Sequence, residues 1–140
     1  MWLRSRCESA RPKVSSVSDP ATLSVGTGPD ALVLKISEDA YQGDAQYTVS
    51  VDGVRIGGPL TAQAAHATGQ SDTVTVHGDW AAGNHVVSVN FLNDAYGGAG
   101  LDRNLHVDAA TYNGSLASGA DLDLFRNEAK SFSFTDDWAL

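Results

Sequence analysis

The sequence has few of the residues that cross-link a chain, and it has no long apolar stretch. Cys7 is the only cysteine among 140 residues, which excludes an internal disulfide. No segment approaches the ~20 consecutive apolar residues that a membrane helix needs. Residues 1–20 are positively charged but lack the apolar run of ~7–15 residues of a signal peptide, so they are not an intact one. We therefore expect a chain without disulfides or membrane helices.

Basic residues are also scarce. Lys and Arg number 9 against 17 Asp and Glu, for a net charge of −8. Four of the nine basic residues fall within the first thirteen positions, and from Asp30 onward 15 acidic residues face five basic ones. Nucleic acids and anionic membranes both require a basic face, so we expect neither as a partner. Acids clustered this densely must be dispersed, protonated or neutralised by a cation.

Helical periodicity is absent from residues 30–134, where short alternating or apolar runs are separated by turn residues. Asp52-Gly53 between two such runs is typical of a two-residue hairpin. The pattern predicts an all-β fold, an antiparallel β-sandwich of jelly-roll type. We assign residues 1–29 to a linker or disordered leader, 30–135 to the sandwich and 136–140 to a tail. The strands are predicted at 31–37, 45–51, 54–58, 59–66, 71–78, 85–92, 104–114, 121–125 and 130–134.

One short motif occurs twice. Asp-Ala-Tyr-x-Gly begins at Asp39 and again at Asp94, and each copy is followed by a further Asp. Each copy follows one predicted strand and precedes another. Both are therefore expected to be loops between strands, where function usually lies on a rigid sandwich.

The first copy is rich in oxygen ligands. Glu38, Asp39 and Asp44 place three carboxylates within seven residues, and Gln42 and Gly43 add main-chain carbonyls on a tight turn. Oxygen ligands on such a loop suit Ca²⁺, whereas zinc would need Cys or His nearby. Asp residues in turns also bond to their own backbone, and spacing alone does not separate the two interpretations.

The second copy offers Asn93, Asp94, Asp102 and Asn104 on a glycine-rich segment. This set is looser, and it indicates either a second calcium site or a contribution to the first. The first copy is the expected sugar-binding site, and the second its structural partner.

Aromatic residues accompany both copies. Tyr41 and Tyr96 each follow their Asp by two positions, where an exposed ring could carry a sugar. Trp80 in the GDWAAG segment is a third candidate, although a loop Trp can equally fold onto the edge of the sandwich.

Signals for catalysis are weak. Paired carboxylates are the machinery of glycosidases, but nothing marks one of them as an acid, and no serine-hydrolase or phosphate-loop motif is present. His66, His77, His85 and His106 lie on predicted strands and are interpreted as polar strand residues. The alternatives kept open are a calcium-stabilised spacer or adhesion domain and a small hydrolase.

Two segments, ALVLKISEDAYQGDAQYTVSVDGVRIGG (31–58) and GDWAAGNHVVSVNFLNDAYGGAGLDRNLHVDAATYNG (78–114), resemble the calcium-dependent, xylan-binding carbohydrate-binding modules of family 60, which is related to family 36. The resemblance implies a β-sandwich whose exposed Ca²⁺ is coordinated directly by sugar hydroxyls while an aromatic side chain packs on the ring. Residues 121–140 fall outside it.

The resemblance also implies a role for each matching residue. Asp39, Asp44 and a carbonyl of Gln42 or Gly43 would hold the ligand-binding calcium, with Glu38 joining them. Tyr41 would be the loop aromatic, with Trp80 as its partner. The second segment would support a structural calcium or the first loop, through Asp94, Asp102 and Asn104.

The expected partner is a polysaccharide or oligosaccharide, bound without catalysis by a monomeric, secreted bacterial protein. Relatives of this kind are usually attached to secreted glycoside hydrolases, whereas no catalytic domain is recognised in this sequence.

Overall fold

A computed structural model describes residues 20–136, which form two β-sheets packed on one core. The β-sandwich prediction is confirmed. None of the described residues forms a helix long and apolar enough to cross a membrane. The strands are β1 (Thr22–Gly26), β2 (Asp30–Asp39), β3 (Gln46–Val51), β4 (Val54–Thr61), β5 (Asp72–Gly78), β6 (Gly83–Phe91), β7 (Ala95–Gly98), β8 (Leu101–Tyr112), β9 (Ser115–Leu116), β10 (Leu122–Leu124) and β11 (Ala129–Asp136).

The chain crosses from one sheet to the other several times, so each sheet contains strands from distant parts of the sequence. The larger sheet has the order β1-β5-β2-β8-β10, with β7 and β9 also paired to β8, and the smaller has the order β11-β6-β3-β4. Most neighbours are antiparallel, while β1 runs parallel to β5. The pairing of β2 with β8 brings residue 39 beside residue 104, so the two acidic segments of the sequence meet at one end of the sheet.

The core follows from the period-2 pattern. Alternate residues of β2 and β5, such as Leu32, Leu34, Val74 and Val76, are fully buried between the sheets. Tyr47 and residues of β6 and β11 fill the opposite side. The rigid sandwich fixes the strand ends on which the acidic residues lie.

The folded unit begins earlier than predicted. Strand β1 lies inside the assigned leader, pairs with β5, and packs Leu23 and Val25 against the core. The run TLSVG was missed because its Ser and Gly neighbours look like a linker. The tail assigned to residues 136–140 is likewise displaced, since Asp136 closes β11. The remaining parts of the predicted leader and tail, residues 1–19 and 137–140, lie outside the described residues, whereas residues 20–29 are described.

Two local predictions are wrong. The strand expected at 59–66 exists only as the end of β4 at Thr61, and the chain continues into a 3₁₀ turn at His66–Thr68. The second copy of the motif is not an open loop, because β7 pairs with the start of β8 and sets Tyr96 opposite Asp102. Glu38 and Asp39 are also strand residues, at the end of β2.

Candidate functional site

Arg103 joins the two copies of the motif. Its guanidinium donates from Nε to the carbonyl of Tyr41 at 3.0 Å, from Nη2 to that of Gln42 at 2.6 Å and from Nη1 to that of Asn93 at 2.5 Å. The side chain is nearly buried, at 9% exposure. The carbonyl of Gln42, predicted as a calcium ligand, therefore already has a cationic partner.

Side-chain packing also joins the two copies. The ring of Tyr41, in the first copy, lies directly over Gly97, in the second, where any Cβ would overlap its hydroxyl group. Tyr41 is consequently only partly exposed. Its position explains why the second copy has a glycine immediately after its tyrosine.

An open depression of about 480 Å³ lies where β2 ends beside β8. Four polar side chains that were predicted as metal ligands line it: Glu38, Asp39, Asp102 and Asn104. Ala40, Ala65, Ala67 and Gly100 complete the lining with small residues. Residues from both copies of the motif thus contribute to one site, and Asp102 and Asn104 lie with the first copy rather than apart from it.

Asn104, one of the residues that line the depression, has an unsatisfied side-chain oxygen. Its Nδ2 donates to Asp39 Oδ2 at 3.1 Å, while its Oδ1 is buried without a hydrogen-bond partner. A buried amide oxygen left in this state is costly. A cation in the depression would supply the missing interaction.

Glu38 occupies the centre of the acidic group. It is 3% exposed and accepts a hydrogen bond from the Ala45 N–H at 2.6 Å. Burial, reinforced by the neighbouring Asp44 carboxyl, raises the pKa of Glu38 to about 8. Glu38 also lines a second depression of about 150 Å³, which Asp44 borders. Asp39 and Asp44 therefore lie in different depressions on either side of Glu38.

His106 is held between two carboxylates. Its Nε2 lies 2.9 Å from Asp39 Oδ2 and its Nδ1 2.7 Å from Asp123 Oδ1. Carboxylates only accept, so both bonds together require both ring N–H groups. Burial alone would lower the pKa of His106, but its bonds to Asp123 and Asp39 outweigh burial and raise it. The pKa of Asp39 is lowered, because its bonds to His106 and Asn104 outweigh its own burial.

Two aromatic side chains near this end of the sheet are exposed. Tyr96 is 69% exposed and pairs across the hairpin with Asp102 of the depression. Phe125 is 51% exposed, with its ring edge-on to His106 at 6.3 Å. Phe125 was not predicted, although in DLDLF the more buried Leu122 and Leu124 leave the alternate residues Asp123 and Phe125 exposed.

Trp80 is not part of the site. Its N–H donates to Asp30 at 2.9 Å, at the opposite end of the ten-residue strand β2 from Asp39, a separation of roughly 30 Å. Its ring packs against Tyr112 and Phe134 at 6.0 and 5.5 Å. The prediction that it partners Tyr41 is therefore wrong, and the alternative of a Trp folded onto the sandwich is correct.

Asp94 also lies outside both depressions. Its N–H donates to the Asn127 side chain at 2.8 Å, and its Oδ1 is buried without a hydrogen-bond partner. Asp94 is thereby placed beside the segment that follows β10, rather than among the other predicted ligands.

The residues of the larger depression suit calcium by their chemistry. They offer carboxylate and amide oxygens with no Cys or His among them, and the buried oxygen of Asn104 lacks a partner. Within residues 20–136 no three acidic, His or Cys side chains converge into a compact metal cage. The donors border an open depression instead, so an ion held there would need further ligands from carbonyls, water or a bound molecule.

Comparisons with known proteins identify the family and agree with the β-sandwich fold. Residues 23–125 match the model of family CBM60, described as a Ca-dependent, xylan-binding carbohydrate-binding module. A solved structure, the selenomethionine form of vCBM60, superposes with a TM-score of 0.52 at 19% identity, covering 76% of this chain and 91% of that one. That structure was described as showing, through circular permutation, an evolutionary link between two families of calcium-dependent carbohydrate binding modules. No curated protein sequence matches significantly.

Proposed function

The chain belongs to family 60 of the carbohydrate-binding modules, and from this premise we propose that it binds a xylan-like polysaccharide, without catalysis, through Ca²⁺ in the depression between β2 and β8. The observation that carries the proposal is the buried, unpartnered Oδ1 of Asn104, a residue that lines the depression together with three carboxylate side chains. Secretion, a monomeric state and the attachment of such modules to hydrolases belong to the same proposal.

Asp39, Asp102, Asn104 and Glu38 would hold the ion, and Asp44 would act from the neighbouring depression. When bound, the ion supplies a positive charge with open coordination positions for oxygen ligands. Ionised Glu38 and Asp44, which oppose each other's charge without a cation, would both be stabilised beside it. The depression is open, so two neighbouring hydroxyl groups of a sugar can approach the ion directly.

Aromatic side chains would orient the sugar. Tyr96 and Phe125 present exposed rings to solvent, and a sugar ring packs its C–H face on such a surface. Tyr41 was predicted for this role, but its packing on Gly97 makes it primarily a support for the second copy of the motif. We therefore assign sugar contact first to Tyr96 and Phe125.

Isothermal titration calorimetry of the full chain tests the proposal. Soluble xylan, galactan and cello-oligosaccharides are titrated in calcium and again in excess EDTA. Binding to xylan that disappears in EDTA and returns with added calcium supports the proposal. Equal affinity in EDTA, or no binding to any polysaccharide in calcium, would contradict it. A matched control is Asp121→Asn, which removes the charge of an exposed residue that does not line the depression.

A further inference from the structure

His106 borders the site without lining its depression. Its ring is 5% exposed and contacts Asp39 on one side and Asp123 on the other. We propose that His106, anchored by Asp123, is a positioning residue that fixes the Asp39 carboxylate as a calcium ligand. This inference rests on the proposed function, since it takes Asp39 as a ligand.

The hydrogen bonds to Asp39 are asymmetric. The donors from His106 and Asn104 both meet Oδ2, at 2.9 and 3.1 Å, and Oδ1 takes part in neither bond. Two donors on one oxygen restrict rotation of the carboxylate, so the direction of the other oxygen is fixed as well. Residues that orient metal ligands in this way typically change metal affinity by about 10- to 100-fold when replaced.

The ring of His106 is itself immobilised. His66 stacks on it with a centroid distance of 3.8 Å and an interplanar angle of 16°. His66 is in turn held by Ser37 Oγ at 2.9 Å and lies 3.3 Å from Asp108 Oδ1. With its face covered and both nitrogens engaged, the ring has one orientation in which to meet Asp39.

A similar pair elsewhere in the fold provides a control. His85 Nδ1 contacts Asp52 Oδ2 at 2.5 Å, and its Nε2 contacts the carbonyl of Ala81 at 2.6 Å. His85 lies on β6, in the smaller sheet, and does not line the depression. A histidine-carboxylate pair that lies outside the depression is thus present in the same chain.

Two substitutions separate positioning from general support. In His106→Gln the amide can take the place of Nε2 and still donate to Asp39, whereas in His106→Asn it can replace only Nδ1, facing Asp123. Calcium is titrated calorimetrically into the metal-free full chain, and thermal unfolding is recorded in EDTA. We expect His106→Asn to weaken calcium binding by about 10- to 100-fold. His106→Gln should retain most of the affinity, and His85→Gln should leave it unchanged.

Asp123→Ala is the second variant, because that side chain is 50% exposed and its loss should not prevent folding. Like His106→Asn, it should weaken calcium binding, whereas Asp52→Ala should leave calcium binding unchanged. Wild-type affinity in both His106→Asn and Asp123→Ala would overturn the inference, as would equal weakening by Gln and Asn at position 106. If those variants bind normally while the native chain binds calcium and xylan, only this inference fails. If the native chain binds no calcium, the proposed function fails with it.

Discussion

The ring of Tyr41 occupies the space that a side chain at Gly97 would need. The two residues belong to different copies of the repeated motif and lie on separate elements of the fold. Their contact, together with the bonds from Arg103 to both segments, packs the two copies of the motif against each other. The duplicated motif therefore forms one connected structure at this end of the sheet.

Gly97→Ala should disturb the packing of Tyr41 on Gly97 and so destabilise the fold. Gly97 does not have a left-handed backbone conformation, so the cost comes from the overlap with Tyr41. We expect a loss of about 1–3 kcal/mol in the free energy of unfolding, as for overpacking elsewhere. Denaturant unfolding measures it. Gly58→Ala is the control, because a Cβ there meets nothing within 4 Å, and equal stability of the two variants would contradict the contact.

Arg103→Lys should weaken the hydrogen bonds that hold the two copies of the motif together. A lysine ammonium has three N–H donors, but they spread from one nitrogen and cannot reproduce the bonds that Nε, Nη1 and Nη2 make from a planar guanidinium. Carbonyls that lose their donor cost about 1–3 kcal/mol each where they are buried. We expect the variant to be less stable, as measured by unfolding in EDTA. We also expect it to bind calcium more weakly, as measured by calorimetry. Arg126→Lys, at an exposed position, should change neither. A calcium affinity of Arg103→Lys equal to that of the native chain would show that the contacts between the two copies do not affect calcium binding.

Phe125→Ala should weaken xylan binding without altering calcium affinity. The ring is 51% exposed, so its removal should cost little stability. We expect an affinity loss of about tenfold, the scale of one aromatic contact. Phe125→Tyr should restore binding. Leu116→Ala, which removes a 76% exposed side chain near the other end of β8, is the control. Unchanged affinity in Phe125→Ala would remove this residue from the sugar site.

The pH dependence of stability should carry a contribution from His85. Its bond to the Ala81 carbonyl, and then its bond to Asp52, raise the pKa of His85 above 6.5. The stabilisation of the fold by protonated His85 is therefore complete below pH 6.5, and it is lost as the pH rises through the pKa of His85 in the folded state. In EDTA, Asp52→Asn should reduce the fall in melting temperature between about pH 6 and pH 8. This assignment would be contradicted if the melting temperature of Asp52→Asn depended on pH as that of the native chain does. An equal change in the control Asp121→Asn would also contradict it.

Alternation in the sequence predicted most strands, because a strand with one buried face, such as β2 or β5, has apolar residues at every second position. The three carboxylate residues that line the larger depression, Glu38, Asp39 and Asp102, were all among the predicted ligands, since acidic residues are visible locally. The sequence left open whether the two segments share one site, because that depends on the register of β2 against β8, which joins residues 65 positions apart.

Arg103, His106 and Phe125 were missed for the same reason. Each gains its role from a partner on a distant segment, such as Tyr41, Asp39 or the outer face of β8. Trp80 shows the converse, since proximity in the sequence to a glycine-rich segment suggested exposure, while the fold buries part of its ring against Phe134.

The most direct test of the central claim is the calcium affinity of the full chain with and without a saturating xylo-oligosaccharide. If sugar hydroxyls coordinate the ion, linkage requires the sugar to tighten calcium binding by the same factor by which calcium tightens sugar binding. We predict an increase in calcium affinity of at least about tenfold, within the usual range of such coupling. A calcium affinity that is identical with and without the sugar would contradict direct coordination.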